Sequence, residues 1–365
     1  MNKIHLTGLL ATCLLLLNAC QSIEQISIDY MVPGDISFPK ELKRVAIVNN
    51  TSNTPDNRMI TTTNKQEEGV TEEATAYFNG DTKLATETLA KEIANQNYFD
   101  EVIICDSALR AKDLIARENT LSQEEVTQLA TGLNTDFIIS LENLQLKARK
   151  KIQAVDMGLF VATIDTQVFP TIKIYLPGRK GAMATLHPTD SIYWEMFAIS
   201  PEKAIAGLIT DKEMIKEASA FAGTVPVKQL LPYWMSAKRY YYGSGLADMR
   251  DAAVYIKEDS WDKAYGIWKS ICDSKNSTKR KMKAAFNIAL YYEVKDNIEE
   301  AVRWISIAKD YAQKIDRINP EKSIQLSGRE APNFYITSMY LAELLKRKDS
   351  LMQLKMQMNR FENDF

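Results

Sequence analysis

Histidine is almost missing from this chain: two in 365 residues, His5 and His187. His5 lies in the apolar N-terminal stretch, so a chain that sheds that stretch keeps His187 alone. A histidine-built metal site is excluded, and so is a serine–histidine–aspartate arrangement anywhere but around His187. That residue precedes Pro188 in the turn-like GAMATLHPTD and reads as an ordinary loop residue. Of four cysteines, only Cys105 and Cys272 lie beyond residue 20, too far apart in the chain to form a disulfide framework, and both read as free thiols. The signatures G-x-x-x-x-G-K-[ST], G-x-G-x-x-G and G-x-S-x-G are absent, and no acidic pair stands out. No cofactor is therefore expected and the chain does not read as an enzyme; a hydrolase working with carboxylates alone is the residual enzymatic reading. Excess charge is missing too. With 45 basic against 47 acidic residues, the balance is wrong for a chain whose main business is nucleic acid.

What is present begins at the N-terminus. Lys3 precedes an apolar stretch from Ile4 to Leu17, shorter than the ~20 residues a membrane-spanning helix needs. A positive start, a short apolar core and a small-residue boundary make a secretory signal over residues 1–19. The boundary itself, Leu17-Asn18-Ala19-Cys20, resembles the bacterial lipobox. That resemblance implies that Cys20 becomes the first mature residue and carries diacylglycerol with a further acyl chain. At ~0.8 kcal/mol per buried methylene, several chains make an effectively permanent anchor. Gln21 follows where an aspartate would resemble an inner-membrane retention signal, so the outer membrane is the expected destination. Only Glu24 is acidic just beyond, which favours the periplasmic face over the surface.

Residues 20–199 are expected to form an α/β domain with a mixed sheet. Val45-Ala46-Ile47-Val48 is short, mostly β-branched and flanked by polar residues, as a buried strand should be. Residues 49–80 are polar and read as a long loop. A helix follows from Asp81, with Ala85, Leu89 and Ile93 on one face. EVIICDS is another buried strand, and Ser122 with Glu125 makes a capping box for a helix that ends near Gly132 and Asn134, before DFIIS. This strand–helix order resembles the N-terminal domain of the Tol propeller protein and the curli-secretion and penicillin-binding-protein-activator lipoproteins. The likeness implies a protein-contact module. Residues 160–176 alternate strictly, which predicts a long strand with its even positions buried, bent or edge-bound at Pro170. DSIYWEMF is expected to return antiparallel. KARKK, residues 147–151, reads as a solvated hairpin or a lysine-protected edge rather than a contact to anionic lipid.

Residues 200–245 are expected to connect the two halves through helices. Ser200-Pro201 opens one that runs to about Ala222, with Gly223 at its C′ position. Pro232 should start or kink a helix in the next run. Trp234, Tyr240, Tyr241 and Tyr242 could stack on a sugar, although such residues more often fill a packing seam.

Residues 246–365 carry repeated helical hairpins. DSWDKAYGIWKSI and DNIEEAVRWISIA align with Ala264 and Ala301 37 residues apart, close to the ~34 of a tetratricopeptide repeat. The later copy resembles that family through Ile288, Ala289, Tyr292, Ala301, Ile305 and Ala308; the earlier one matches at Ala252, Tyr255, Ala264 and Trp268. Ala285 and Gln313 stand where the family has tryptophan and proline, and Asp251 stands in the place of Ile288. The last helices lack the signature, as a terminal cap would. The basic cluster Lys279, Arg280, Lys281 and Lys283 reads as a solvated connector or a contact for an acidic partner.

The whole chain also resembles a family of tetratricopeptide-containing lipoproteins of Gram-negative gut-type bacteria, through Ala222, Gly223, Pro232, Trp234, Arg239, Tyr241, Tyr242 and Gly243. That family implies architecture and location but no activity. The expected whole is α+β in two domains: an α/β sheet domain, then an all-α tetratricopeptide-like one. The expected role is a membrane-anchored, non-enzymatic scaffold for an envelope protein. A glycan-binding lipoprotein using the aromatic cluster is the alternative.

Overall fold

The computed structural model describes residues 23–52, 61–63, 70–113, 120–244, 246–318, 328 and 331–361. The expected signal segment, Cys20 and parts of the expected 49–80 loop lie outside the described residues. The chain is α+β, with a sheet-rich N-terminal part and a helical C-terminal part. It divides into two compact units. One combines strand β1 (Ile23–Val32) with residues from Trp234 to Lys355; the other takes Pro33–Tyr233 and the chain end from Met356.

In the α/β unit, β2 (Arg44–Asn49) is the central strand of a parallel trio. Val45, Ala46, Ile47 and Val48 are all fully buried, because helices cover both faces of a parallel sheet and leave no face for polar residues. Its neighbours are β5 (Glu101–Cys105) and the first residues of β6 (Phe137–Val155). Helix α1 (Thr82–Asn95) starts at Asp81, whose carboxylate accepts from the Leu84 amide at 3.0 Å, and buries Ala85, Leu89 and Ile93 as its spacing predicts. Helix α2 (Gln123–Leu133) has the expected capping box at Ser122 and Glu125 and stops at Asn134, which is left-handed at φ 53°.

Strand β6, 19 residues long, pairs along its length with β7 (Leu159–Tyr175) through a tight hairpin at Met157 and Gly158. The predicted even-position face of β7 is buried at Ala162, Ile164, Thr166, Val168, Ile172 and Ile174. Pro170 neither ends the strand nor puts it at an edge. It falls between the two strands that flank β7 on its outer side, β8 (Ala184–Leu186), pairing from Ile172, and β9 (Asp190–Ala198), pairing up to Val168. A residue with no N–H costs least where no neighbour asks for one. The antiparallel return of β9 is as expected.

Four sequence expectations need correction here. Part of the 49–80 loop is strand: β4 (Val70–Asn79) pairs antiparallel with β6, and β3 (Thr61–Thr63) with β4. Its run of small and acidic residues hid the alternation that pairing with β6 organises. KARKK is neither hairpin nor edge but mid-strand in β6, between β4 and β7. Two of its four charges are met by neighbours: Arg149 by Asp165 at 3.4 Å and Glu73 at 3.9 Å, Lys150 by Asp211 at 2.7 Å. The helix expected from Pro201 is two helices, α3 (Pro201–Ala206) and α4 (Asp211–Thr224). The second opens on its own capping box, Thr210 with Glu213, a signal present in the sequence and passed over. Gly223 lies inside α4 rather than after it, where α4 crosses α1 so closely that a Cβ would meet the Ala85 carbonyl oxygen at 2.5 Å. A last short helix, α5 (Val227–Leu230), precedes Pro232.

The helical unit opens with a strand where a helix was expected. β10 (Tyr233–Tyr242) pairs with β1 in a two-stranded ribbon, and its aromatic residues and alternating exposure fit a strand better than a helix. Among the described residues five helices follow: α6 (Ala247–Lys257), α7 (Trp261–Asp273), α8 (Thr278–Val294), α9 (Ile298–Ile315) and α10 (Pro332–Met358). The last residues of α10 belong to the α/β unit, where the Gln357 side chain pairs with both backbone groups of Gly34 and Arg360 stacks on Tyr98 at 4.2 Å.

The hairpins α6–α7 and α8–α9 turn in the same way. Asp259 and Asp296 are both left-handed, at φ 54° and 55°. The next amide reaches back to the carbonyl of Tyr255 in one turn and of Tyr292 in the other, at 2.8 and 2.9 Å. The seam is built of fully buried alanines (Ala252, Ala264, Ala285, Ala289, Ala301, Ala308) around Trp268, Ile288 and Ile305. Small side chains let the helix backbones approach, and the large ones fill the space between pairs.

Candidate functional site

The aromatic run of β10 divides by burial. Trp234 is 68% exposed and Tyr240 45%, on the open face of the ribbon; Tyr241 is buried on the opposite face, and Tyr242, on the same face as Tyr240, is buried at the strand end against Phe286 of α8. The Tyr241 hydroxyl donates to Glu24 on β1 at 2.8 Å, and burial together with that carboxylate raises its pKa. Tyr242 is held at its backbone: its N–H donates to the Asn287 side chain at 2.8 Å and its carbonyl accepts from the same amide at 2.9 Å. Burial, with the negative charge of Asp316, pushes its phenol up to about 12. The four residues do not form a single platform.

The rest of the run has a structural use. Arg239 is buried, and its guanidinium meets the Glu293 carboxylate with two hydrogen bonds of 2.8 Å. Glu293 also accepts from the Tyr340 hydroxyl at 2.6 Å and from Arg347 at 3.3 Å, and Tyr30 lies beneath Arg347 at 4.2 Å. Burial opposes the charge on Arg239, but the pairing with Glu293 outweighs it and raises the pKa. At Gly243 a side chain would collide with the Glu24 carboxylate. Arg239, Tyr241, Tyr242 and Gly243 therefore bind the ribbon together and to α8 and α10.

The hairpin surface is more open. Between α6 and α7 lies a groove of about 560 Å³ lined by Asp248, Asp251, Tyr255, Lys263 and Ile267 among others. Asp251, the departure from the repeat pattern, is exposed to this groove instead of filling a seam. Nearby on α7 and α8, Tyr265 stacks on Tyr291 at 4.5 Å between ring centres, and the hydroxyls of Tyr265 and Tyr292 are 3.3 Å apart. The Tyr291 hydroxyl donates to Asp262 at 2.7 Å, and chiefly through that bond its pKa rises to about 12. The three rings are only partly buried and form an aromatic ledge with polar edges.

In the α/β unit, polar groups gather at the C-terminal ends of the parallel strands, the usual ligand side of such sheets. Glu142 sits at the register shift of β6 and is buried. Its oxygens accept from the Asn50 amide at 2.6 Å and the Tyr175 hydroxyl at 2.8 Å. Burial raises the pKa of Glu142, and burial with the Glu142 charge raises that of Tyr175. Arg110 donates to the Asn50 side-chain oxygen at 3.0 Å and pairs with Glu125 at 2.7 Å. The carboxylate could take up a proton, yet both its oxygens are occupied by groups of the protein. His187 lies apart, with Nδ1 3.3 Å from the Thr171 hydroxyl. Among the described residues no three metal-ligating side chains gather, and no helix is long and apolar enough to cross a membrane.

Two family matches cover most of the chain. Residues 42–242 match a domain of unknown function, DUF8603, and residues 250–346 match a second domain of unknown function, DUF6340. No curated protein and no solved structure matches.

Proposed function

The chain belongs to the family of the domain of unknown function DUF8603, and from that premise, which supplies no activity, we propose that it is a lipid-anchored envelope protein that holds another protein and performs no chemistry of its own. The observation that carries this reading is the repeated hairpin. Two helix pairs turn through aspartates in the same left-handed conformation, close on alanine seams, and leave a groove and a tyrosine ledge open beside them. We read the pairs as tetratricopeptide-like repeats, with α10 as the cap. Rigid amphipathic rings and a concave surface are what protein-binding faces use. The occupied oxygens of Glu142 support a role without catalysis. Lipid on Cys20 would hold the protein at the outer membrane, on its periplasmic face.

Cross-linking in living cells, followed by purification of the native protein beside a Cys20→Ser version, tests the reading. A reproducible envelope protein, captured only when Cys20 is present and lost on Tyr265→Ala with Tyr291→Ala, is the expected result. Capture of no protein, or capture indifferent to the ledge and groove, would sink it.

Exposure of Trp234 and Tyr240 on one ribbon face favours a second reading, glycan capture. A glycan array probed with the full chain and with Trp234→Ala separates the two. Binding that disappears in the variant selects the glycan.

A further inference from the structure

A small cavity in the helical unit is not used by the scaffold reading. It has a volume of about 200 Å³ and opens beside the start of α8. Leu246 and Met249 form its apolar lining, and Lys279, Arg280 and Lys283 its charged lining. Among the described residues no ion pair holds any of these three cations. The Lys283 ammonium stands 5.0 Å over the Tyr242 ring, and burial, with the charge of Lys279, lowers its pKa. Ser244 also lines the cavity, and its hydroxyl oxygen is buried without a hydrogen-bond partner. At the mouth, Ser277 precedes α8 but its side chain caps none of the helix amides.

These groups all favour one kind of occupant. Three cations gathered in one space repel each other, and among the described residues no carboxylate lines the cavity. The first turn of α8 has no acid, whereas α6, α7 and α9 begin with Asp248, Asp262 and the pair Glu299 and Glu300. The volume is below the ~300 Å³ at which pockets for larger organic ligands begin, but ample against the ~30 Å³ that a water takes up in the liquid. Charges converging from several positions suit a tetrahedral dianion, with the Arg280 fork taking two oxygens and the lysines acting as point charges.

We infer that this cavity binds the phosphoryl group of a small phosphate monoester, whose organic part rests on Leu246 and Met249. The inference is independent of the scaffold reading. The same chemistry is offered by a soluble phosphate ester and by the headgroup of a phosphatidic-acid lipid.

Calorimetric titration of the full chain carrying Cys20→Ser with glycerol 3-phosphate and with inorganic phosphate tests it. The comparison is with Lys279→Gln/Lys283→Gln and with Lys263→Gln, whose lysine lines the other groove. Saturable binding is expected, weakened tenfold or more in the double variant, unchanged by Lys263→Gln, and weaker as salt rises. Co-sedimentation of the same Cys20→Ser chain with phosphatidylcholine vesicles, with and without phosphatidic acid, identifies the source. Pelleting that requires phosphatidic acid and Lys279 assigns the lipid headgroup; titration of the soluble ester alone assigns the small molecule. The melting temperature of the double variant should hold or rise as repulsion is relieved. If it falls, the exposed single substitution Lys279→Gln carries the comparison. Failure of all three probes, or binding that the cavity substitutions leave unchanged, overturns the inference.

Discussion

Glu142 in the α/β unit and Glu293 in the helical unit are both buried carboxylates that accept a tyrosine hydroxyl, but their other partners differ. Glu142 is hydrogen-bonded by a neutral amide and a neutral phenol, and the nearby Lys173 charge does not outweigh its burial. Glu293 is held by two guanidinium groups from distant parts of the chain, Arg239 on β10 and Arg347 on α10. A charge solvated by neutral dipoles keeps the penalty of burial in its pKa. A charge enclosed by opposite charges becomes a fastener, whose loss strands the partners. The α/β unit has a sheet ladder to hold it together and can carry a titratable group in its core. Neighbouring hairpins have no shared backbone ladder, so the ribbon is tied to α8 and α10 by side chains.

This comparison can be broken most forcefully at the fastener. Glu293→Ala should destabilise the helical unit by about 3 kcal/mol, because two buried arginines lose their shared buried carboxylate and keep only the exposed Glu343 and Asp296. Urea unfolding followed by the tryptophans of α7 and α9 would reveal it, and a loss below ~1 kcal/mol would show that the pairs are already solvated. The α/β unit should instead be most sensitive to packing. Gly223→Val drives side-chain atoms into the backbone of α1 and should cost about 1–3 kcal/mol, read as a lower thermal midpoint.

Glu142 should give a pH signature rather than a large loss. Its folded pKa is raised, so above the ordinary carboxylate range the folded state binds more protons than the unfolded state. Stability from this group therefore falls as pH rises through the window between the unfolded and folded values. Glu142→Gln should remove that fall, so that the variant gains on the native protein from acid to neutral pH in a urea series. An unchanging difference would mean that Glu142 does not titrate in that window. The smallest effects belong to the hairpin turns. Asp259→Gly and Asp296→Gly place glycine at positive φ, a gain of at most ~1 kcal/mol each that is offset by the loss of the bonds from Trp261 Nε1 to Asp259 and from Arg347 to Asp296. Equal shifts would sharpen the equivalence of the two hairpins, and opposite signs would break it.

Legibility followed the range of the interactions. The strand Val45–Val48, the buried face of α1 and the capping box of α2 could be read directly, since each needs only neighbours a few residues away. The break between α3 and α4 is equally local, in the Thr210–Glu213 capping box, which outweighs the helix start at Pro201. β4 was hidden for a different reason. Its two glutamates and two alanines interrupt the strand-favouring Val, Thr, Tyr and Phe, and its partner β6 lies some seventy residues further along the chain. The aromatic run on β10 could be seen as a cluster, but not that Tyr241 and Tyr242 end up buried while Trp234 and Tyr240 stay exposed.

By itself, the sequence determined the α+β order, the alanine-lined hairpins and the scarcity of histidine. Periodicity, caps and composition are properties of a short window of chain. Only the tertiary structure decided that KARKK runs through the middle of a sheet, that Gly223 is a helix crossing, and that Arg239, Glu293 and Arg347 share one buried site. It also decided that Lys279, Arg280 and Lys283 face a cavity. Each of these depends on which distant segment arrives alongside, and burial and charge pairing acquire their energies only when it does.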